Sequence, residues 1–133
     1  MVKVCALVCA WLIVAACGSD HAVQLARQAC VAGNLGPASD EGNVNAAEFE
    51  QRLAGWQKAG PLAQKAAAED AKWDTLSIAI TQQRDGFVEE EGAYLRVLEG
   101  MGTAGDRAII DRVFAGARQR ESNIRSECGR AGV

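Results

Sequence analysis

The chain has 133 residues, a mass near 14.0 kDa, 49% hydrophobic and 23% charged residues, and a formal net charge of −3. That is room for one small domain with a real core, which excludes large enzyme folds and argues against disorder. The mildly acidic balance disfavours nucleic-acid binding, which depends on neutralising phosphates, and a polybasic hold on a membrane surface. Alanine supplies 25 residues, proline 2 and aromatics 5%, a composition that favours helices over sheets.

The first segment is Met1-Val2-Lys3, then an unbroken apolar run from Val4 to Ala16, then Cys17-Gly18-Ser19-Asp20. One positive charge followed by 13 apolar residues has the layout of a secretory signal. The run is too short for a transmembrane helix, which needs about 20 residues. An ordinary signal peptide with a chance cysteine, or a buried N-terminal helix, would share part of this pattern. The end of the run narrows it. Val14-Ala15-Ala16-Cys17 resembles the lipobox of bacterial lipoproteins: a branched aliphatic residue, two small residues, then Cys.

That resemblance implies a signal peptide over residues 1–16, cleavage before Cys17, and diacylglyceryl transfer to the Cys17 thiol. It also implies a mature domain over 17–133, lipid-anchored on the extracytoplasmic face of a cell membrane. Two or three acyl chains hold a protein at a bilayer stably where one is marginal. Without Lys3 the mature chain has 13 basic and 17 acidic residues, a net charge of −4. Cys5 and Cys9 lie inside the apolar run and would leave with it. No long Ser/Thr/Gly tether follows Cys17, so the domain is expected close to the bilayer.

Helical spacing then begins near Ser19 and runs to Ala32, with Val23, Ala26 and Cys30 on one face and Ser19 or Asp20 as N-cap. Gly33 to Pro37 breaks it, and a polar loop extends to Asn45. Asn45 with Glu48 has capping-box spacing, and Phe49, Leu53 and Trp56 mark the next apolar stripe. Gly60-Pro61 is expected to end that helix and start another through Leu62, Ala66, Trp73, Leu76 and Ile80. The 3/4 spacing continues through Gln83, Phe87, Glu90, Tyr94, Val97 and Met101. Two glycines and two polar residues interrupt it, so a bend or break is expected between Arg84 and Gly92. Gly100, Gly102 and Gly105 make a turn, and one last helix starts near Thr103 to Asp106 and stops at Gly129. Its stripe is Ile110, Val113, Phe114, Ala117, Ile124 and Cys128. The expected fold is a small all-α, antiparallel bundle of four to five helices. Residues 61–80 also resemble a pattern in small helical lipoproteins of actinobacteria; those proteins are of unknown function, and the resemblance implies fold and compartment only.

Cys30 and Cys128 remain for the folded domain. An exported chain meets an oxidising compartment, so an even pair reads as a disulfide; two separate buried thiols are the alternative. No catalytic centre, cofactor or metal site is expected. His21 is the sole histidine and lacks a nucleophile pattern around it, so it reads as an exposed first-turn residue. Glu89-Glu90-Glu91 reads as a solvated helix face, because a metal site on a helix wants acids at i, i+3 or i+4. Asp70 and Asp74 also read as a solvated face beside Lys65 and Lys72, rather than as paired catalytic acids. The Arg-rich last helix could offer anionic lipid or an acidic partner a patch; pairing with the acids between Asp85 and Glu99 is the plainer reading. Trp56 and Trp73 fall on apolar stripes and read as core. The functional expectation is therefore a membrane-tethered helical module that binds a protein or small ligand. An envelope-acting enzyme or accessory subunit, and an immunity or phage-exclusion lipoprotein, are the alternatives.

Overall fold

The computed structural model describes residues 20–34 and 44–133. Residues 1–19, with the expected signal segment, Ser19 and Cys17, and residues 35–43, expected to be a loop, lie outside the described residues. Those described form helices and turns and no strand. Helix α1 covers 20–33, α2 Ala46–Glu69, α3 Asp74–Leu98, α4 Ala104–Ala115 and α5 Ala117–Ala131, with a 3-10 turn at Ala71–Trp73. The antiparallel all-α bundle expected from the spacing is the fold.

α1 buries Ala22, Leu25, Ala26, Ala29, Cys30 and Gly33, the repeat of an amphipathic helix. Val23 sits at the margin of this face, and Asp20 is already helical rather than an N-cap. Asn34 ends the helix at φ 32°, a left-handed conformation that asparagine tolerates, with its N–H donating to the Cys30 carbonyl. α2 opens on the full capping box: the Asn45 side chain accepts from the Glu48 N–H, and the Glu48 side chain accepts from the Asn45 N–H.

The expected break at Gly60-Pro61 is absent: α2 runs through it. Pro61 is exposed, and so is Gln57, whose carbonyl is the one an ordinary residue 61 would bond. Water can serve that carbonyl. Meanwhile Ala59, Ala63 and Ala66 stay buried on the other side. The chain turns instead at Asp70, which is extended (φ −151°, ψ 111°) and accepts the Lys72 N–H at 3.1 Å. Asp70 therefore caps a corner rather than joining Asp74 on a solvated helix face. Lys72 pairs with its carboxylate and holds it below the usual carboxylate range.

α3 is likewise unbroken between Arg84 and Gly92. Gly86 is there for packing: a Cβ would stand 3.0 Å from Val113 Cγ1. The approach of α4 offsets a helix cost of about 1 kcal/mol per glycine. The turn that follows does need its glycines. Gly100 has φ +76°, and a Cβ on Gly102 would meet the Val97 backbone at 2.9 Å.

α4 starts with Thr103 as N-cap; its hydroxyl accepts the Asp106 N–H, and Asp106 returns to the Thr103 N–H at 2.9 Å. Thr103→Ala and Asn45→Ala should each cost about 0.5–2 kcal/mol of unfolding free energy in urea titrations, the usual loss for an N-cap. The single last helix of the sequence reading is two helices, parted at Gly116. Arg120 explains why the break holds. Its Nη2 donates to the Val113 carbonyl at 2.9 Å, and a Cβ on Gly116 would stand 2.5 Å from its other Nη. α5 passes Gly129 and stops at Gly132 (φ +83°), where the Gly132 and Val133 N–H groups close onto the last turn.

The main core centres on Trp73, Leu76, Ile80 and Ile124, with the alanine faces of α1 and α2 around them. Both Trp56 and Trp73 are buried, as their stripes suggest. α1 lies along half of the bundle only. It meets Glu69 at one end through His21, and Gly55 and Trp56 at the other. The contact at the far end is close: a Cβ on Gly55 would stand 2.6 Å from the Ala32 carbonyl oxygen. Gly55→Ala should therefore destabilise the domain in urea titration. An overpacking cost of about 1–3 kcal/mol exceeds the ~1 kcal/mol gained in helix propensity. Beyond Gly55 lies a smaller core of Val44, Phe49 and Leu53, with Phe87 and Tyr94 against it.

Candidate functional site: a mixed-charge cleft

Where α1 ends, a cleft opens between the first turns of α2, the middle of α3 and the α4–α5 junction. Val44, Phe49, Phe87, Val113, Phe114 and Ala117 supply its apolar walls. Arg52, Gln83, Glu90, Tyr94, Arg120 and Glu121 supply its polar groups. Its volume is about 40 Å³, room for a few waters or a small functional group and far below a drug-sized pocket.

The polar groups converge because 3/4 spacing on α3 brings Gln83, Phe87, Glu90 and Tyr94 to one face. Gln83 is 5% and Glu90 3% exposed. Glu90 therefore does not belong to a solvated face with its neighbours, as the Glu89–Glu91 run suggested: it is the member of the triplet that points inward. Arg120 donates through Nε to Gln83 Oε1 at 2.9 Å, so the residue that closes the α4 terminus also fixes the amide. Phe49 stacks on Tyr94 with ring centroids 4.6 Å apart and lies 5.2 Å from Phe87. The Tyr94 hydroxyl donates to the Val44 carbonyl at 3.1 Å. Burial first, then the negative charge of Glu90, raises the Tyr94 phenol above its ordinary range, with Arg52 acting the other way. The phenol thus stays a donor.

A second, shallower depression of about 590 Å³ lies beside Cys30 and Cys128, bordered by Val31, Asn34, Ile124, Arg125 and Val133. It has no buried polar side chain among these residues, so the cleft is the better candidate. The two cysteines meet as expected: their sulfurs are 2.03 Å apart and their Cα atoms 5.7 Å, tying the end of α1 to α5 across a separation of 98 residues. That Cα distance is in the ordinary range for a bridge. Arg27 strengthens the same junction by donating to the Ala131 carbonyl.

Several other charged residues pair within the chain. His21 Nδ1 sits 2.8 Å from Glu69, at the surface. Arg112 pairs with Glu89 and Arg130 with Glu127, so part of the basic last segment is engaged within the chain. Arg96 pairs with Asp106, whose side chain is 6% exposed. That guanidinium, with the Thr103 N–H and hydroxyl, holds the Asp106 carboxyl well below its ordinary range. The folded state thus favours ionised Asp106. Its contribution to stability is complete above the ordinary carboxylate pKa of 3.8 and is lost as pH falls through the lower folded value. Asp106→Asn should lower the melting temperature at neutral pH and flatten the fall in stability below about pH 4.

Among the described residues, no group of three or more His, Cys, Asp or Glu side chains is placed to hold a metal ion. No helix among them is long and apolar enough to cross a membrane. No family model, no curated protein and no solved structure matches the chain.

Proposed function

We propose that the protein is a lipid-anchored helical module on the extracytoplasmic face of a cell membrane, and that it binds a small ligand, or a side chain of a protein partner, in the mixed-charge cleft. The observation that carries the reading is Val14-Ala15-Ala16-Cys17 at the end of a 13-residue apolar run that follows Lys3. The meeting of Cys30 with Cys128 supports it, because bridges persist in oxidising, extracytoplasmic compartments. The cleft supports the binding half: two nine-tenths-buried polar side chains, Gln83 and Glu90, line a small opening walled by aromatic rings. Nothing in this reading calls for a catalytic residue or a cofactor.

Fractionation of expressing cells tests the anchor. The full chain should sediment with membranes and resist extraction by high salt, and Cys17→Ala should leave an unacylated form. A wild-type chain found wholly in the soluble fraction would overturn the proposal.

A further inference from the structure

We infer that the bundle is held at the bilayer by its α2–α3 corner, so that the cleft stands off in the aqueous phase and takes a water-soluble ligand rather than a membrane lipid. This rests on acylation of Cys17. Only Gly18 and Ser19 separate that residue from Asp20, where α1 begins. Three residue steps reach at most about 10 Å in any conformation, so the start of α1 must stay near the headgroups. The start of α1 in turn lies against the corner, because His21 contacts Glu69 at 2.8 Å, one residue before the Asp70 turn. The corner is therefore the membrane-proximal end.

The cleft lies elsewhere. Along α3 the rise is about 1.5 Å per residue, which puts Glu90 about 25 Å from Trp73 and Leu98 about 37 Å from it. The exposed large apolar side chains among the described residues are Val31, Ile78, Val88, Leu98, Met101 and Val133, and they are divided among α1, α3, the α3–α4 turn and the C-terminus. On α3, Ile78, Val88 and Leu98 stand ten residues apart, each about 80° round the helix from the last, so they do not build the continuous apolar face of an interfacial helix. The net charge of the mature chain, −4, also opposes a side-on rest against anionic lipid. The cleft itself suits a soluble ligand: it is small and carries charged groups of both signs.

Spin labels test the orientation in the acylated protein. Ala71→Cys at the corner and Met101→Cys at the opposite end are both exposed positions. Each variant is labelled and reconstituted in phosphatidylcholine–phosphatidylglycerol vesicles carrying a small fraction of nickel-chelating lipid. Flotation of the vesicles, with Cys17→Ser as control, comes first. Relaxation by the surface nickel should be several-fold stronger at 71 than at 101. Flotation with equal relaxation at both sites, or stronger relaxation at 101, would overturn the orientation and leave the anchor standing. Failure of the acylated protein to float would overturn the anchor and the orientation together.

Discussion

Trp73→Ala should lower the stability of the domain by about 3–5 kcal/mol, the usual range for a large aromatic removed from a core. Trp73 is 2% exposed and packs in the same cluster as Leu76, Ile80, Ile124 and Ala66. It also closes the 3-10 turn that carries the chain from α2 to α3. Lys72 and Arg130 lie over its ring at 5.5 and 5.9 Å from the centroid, so cations roof the indole as well. These neighbours come from α2, α3 and α5, and a cavity there cannot be filled by shifting one of them. In a domain of this size the loss corresponds to a fall in melting temperature of roughly 10–20 °C. Trp73→Phe separates ring from donor. The indole N–H is buried without a hydrogen-bond acceptor among the described residues, so the phenyl ring should keep most of the stability. A near-neutral Trp73→Ala would contradict the core described above.

Removing the Cys30–Cys128 link should have an effect of comparable size. The cysteines are 98 residues apart in sequence, so the tie closes nearly the whole described chain. The chain-entropy model gives about 4.7 kcal/mol for a loop of that order, and measured losses for native bridges run at about 2–5 kcal/mol. Cys30 is 8% exposed, and alanine at both positions leaves no new polar group buried. The double variant should therefore melt well below the oxidised protein, and the reduced wild type should melt near the double variant. Intact mass after alkylation checks the premise: the oxidised, folded protein should take up no reagent at either position without reductant. Free alkylation of both thiols would exclude the link.

The helices themselves were legible, because an apolar residue at every third or fourth position leaves little else for an alanine-rich chain to form. Their ends were legible where side chains do the ending, as at Asn45 and Thr103. They were misread where a breaking residue met strong packing. Pro61 faces water while its helix buries alanines on the other side, so the local cost is borne. Gly86 answers the close approach of Val113, a contact that no reading of α3 alone contains. The turns at Asp70 and Gly116 depend on Lys72 and on Arg120; the first bond is two residues away, and the second forms once a guanidinium four residues on reaches back to Val113.

The cleft was half visible. Gln83 and Glu90 stand out in the sequence as polar members of an apolar seam, a pattern that predicts a bend. It marked instead the positions where α3 passes beneath the open end of the bundle. Phe49, Arg52 and Arg120 reach the same place from helices far away in sequence, and spacing along one helix carries no information on that convergence. The triplet Glu89-Glu90-Glu91 hid the distinction further: Glu89 pairs with Arg112 outside, while Glu90 turns in.

Intact mass spectrometry of the full chain, extracted from the membrane fraction of cells that express it, tests the central claim most directly. The account predicts a mature chain that begins at Cys17 and carries the added mass of a diacylglyceryl group, with the first 16 residues gone. An unmodified Cys17, whether in an uncleaved chain or in one cut at another position, would contradict it.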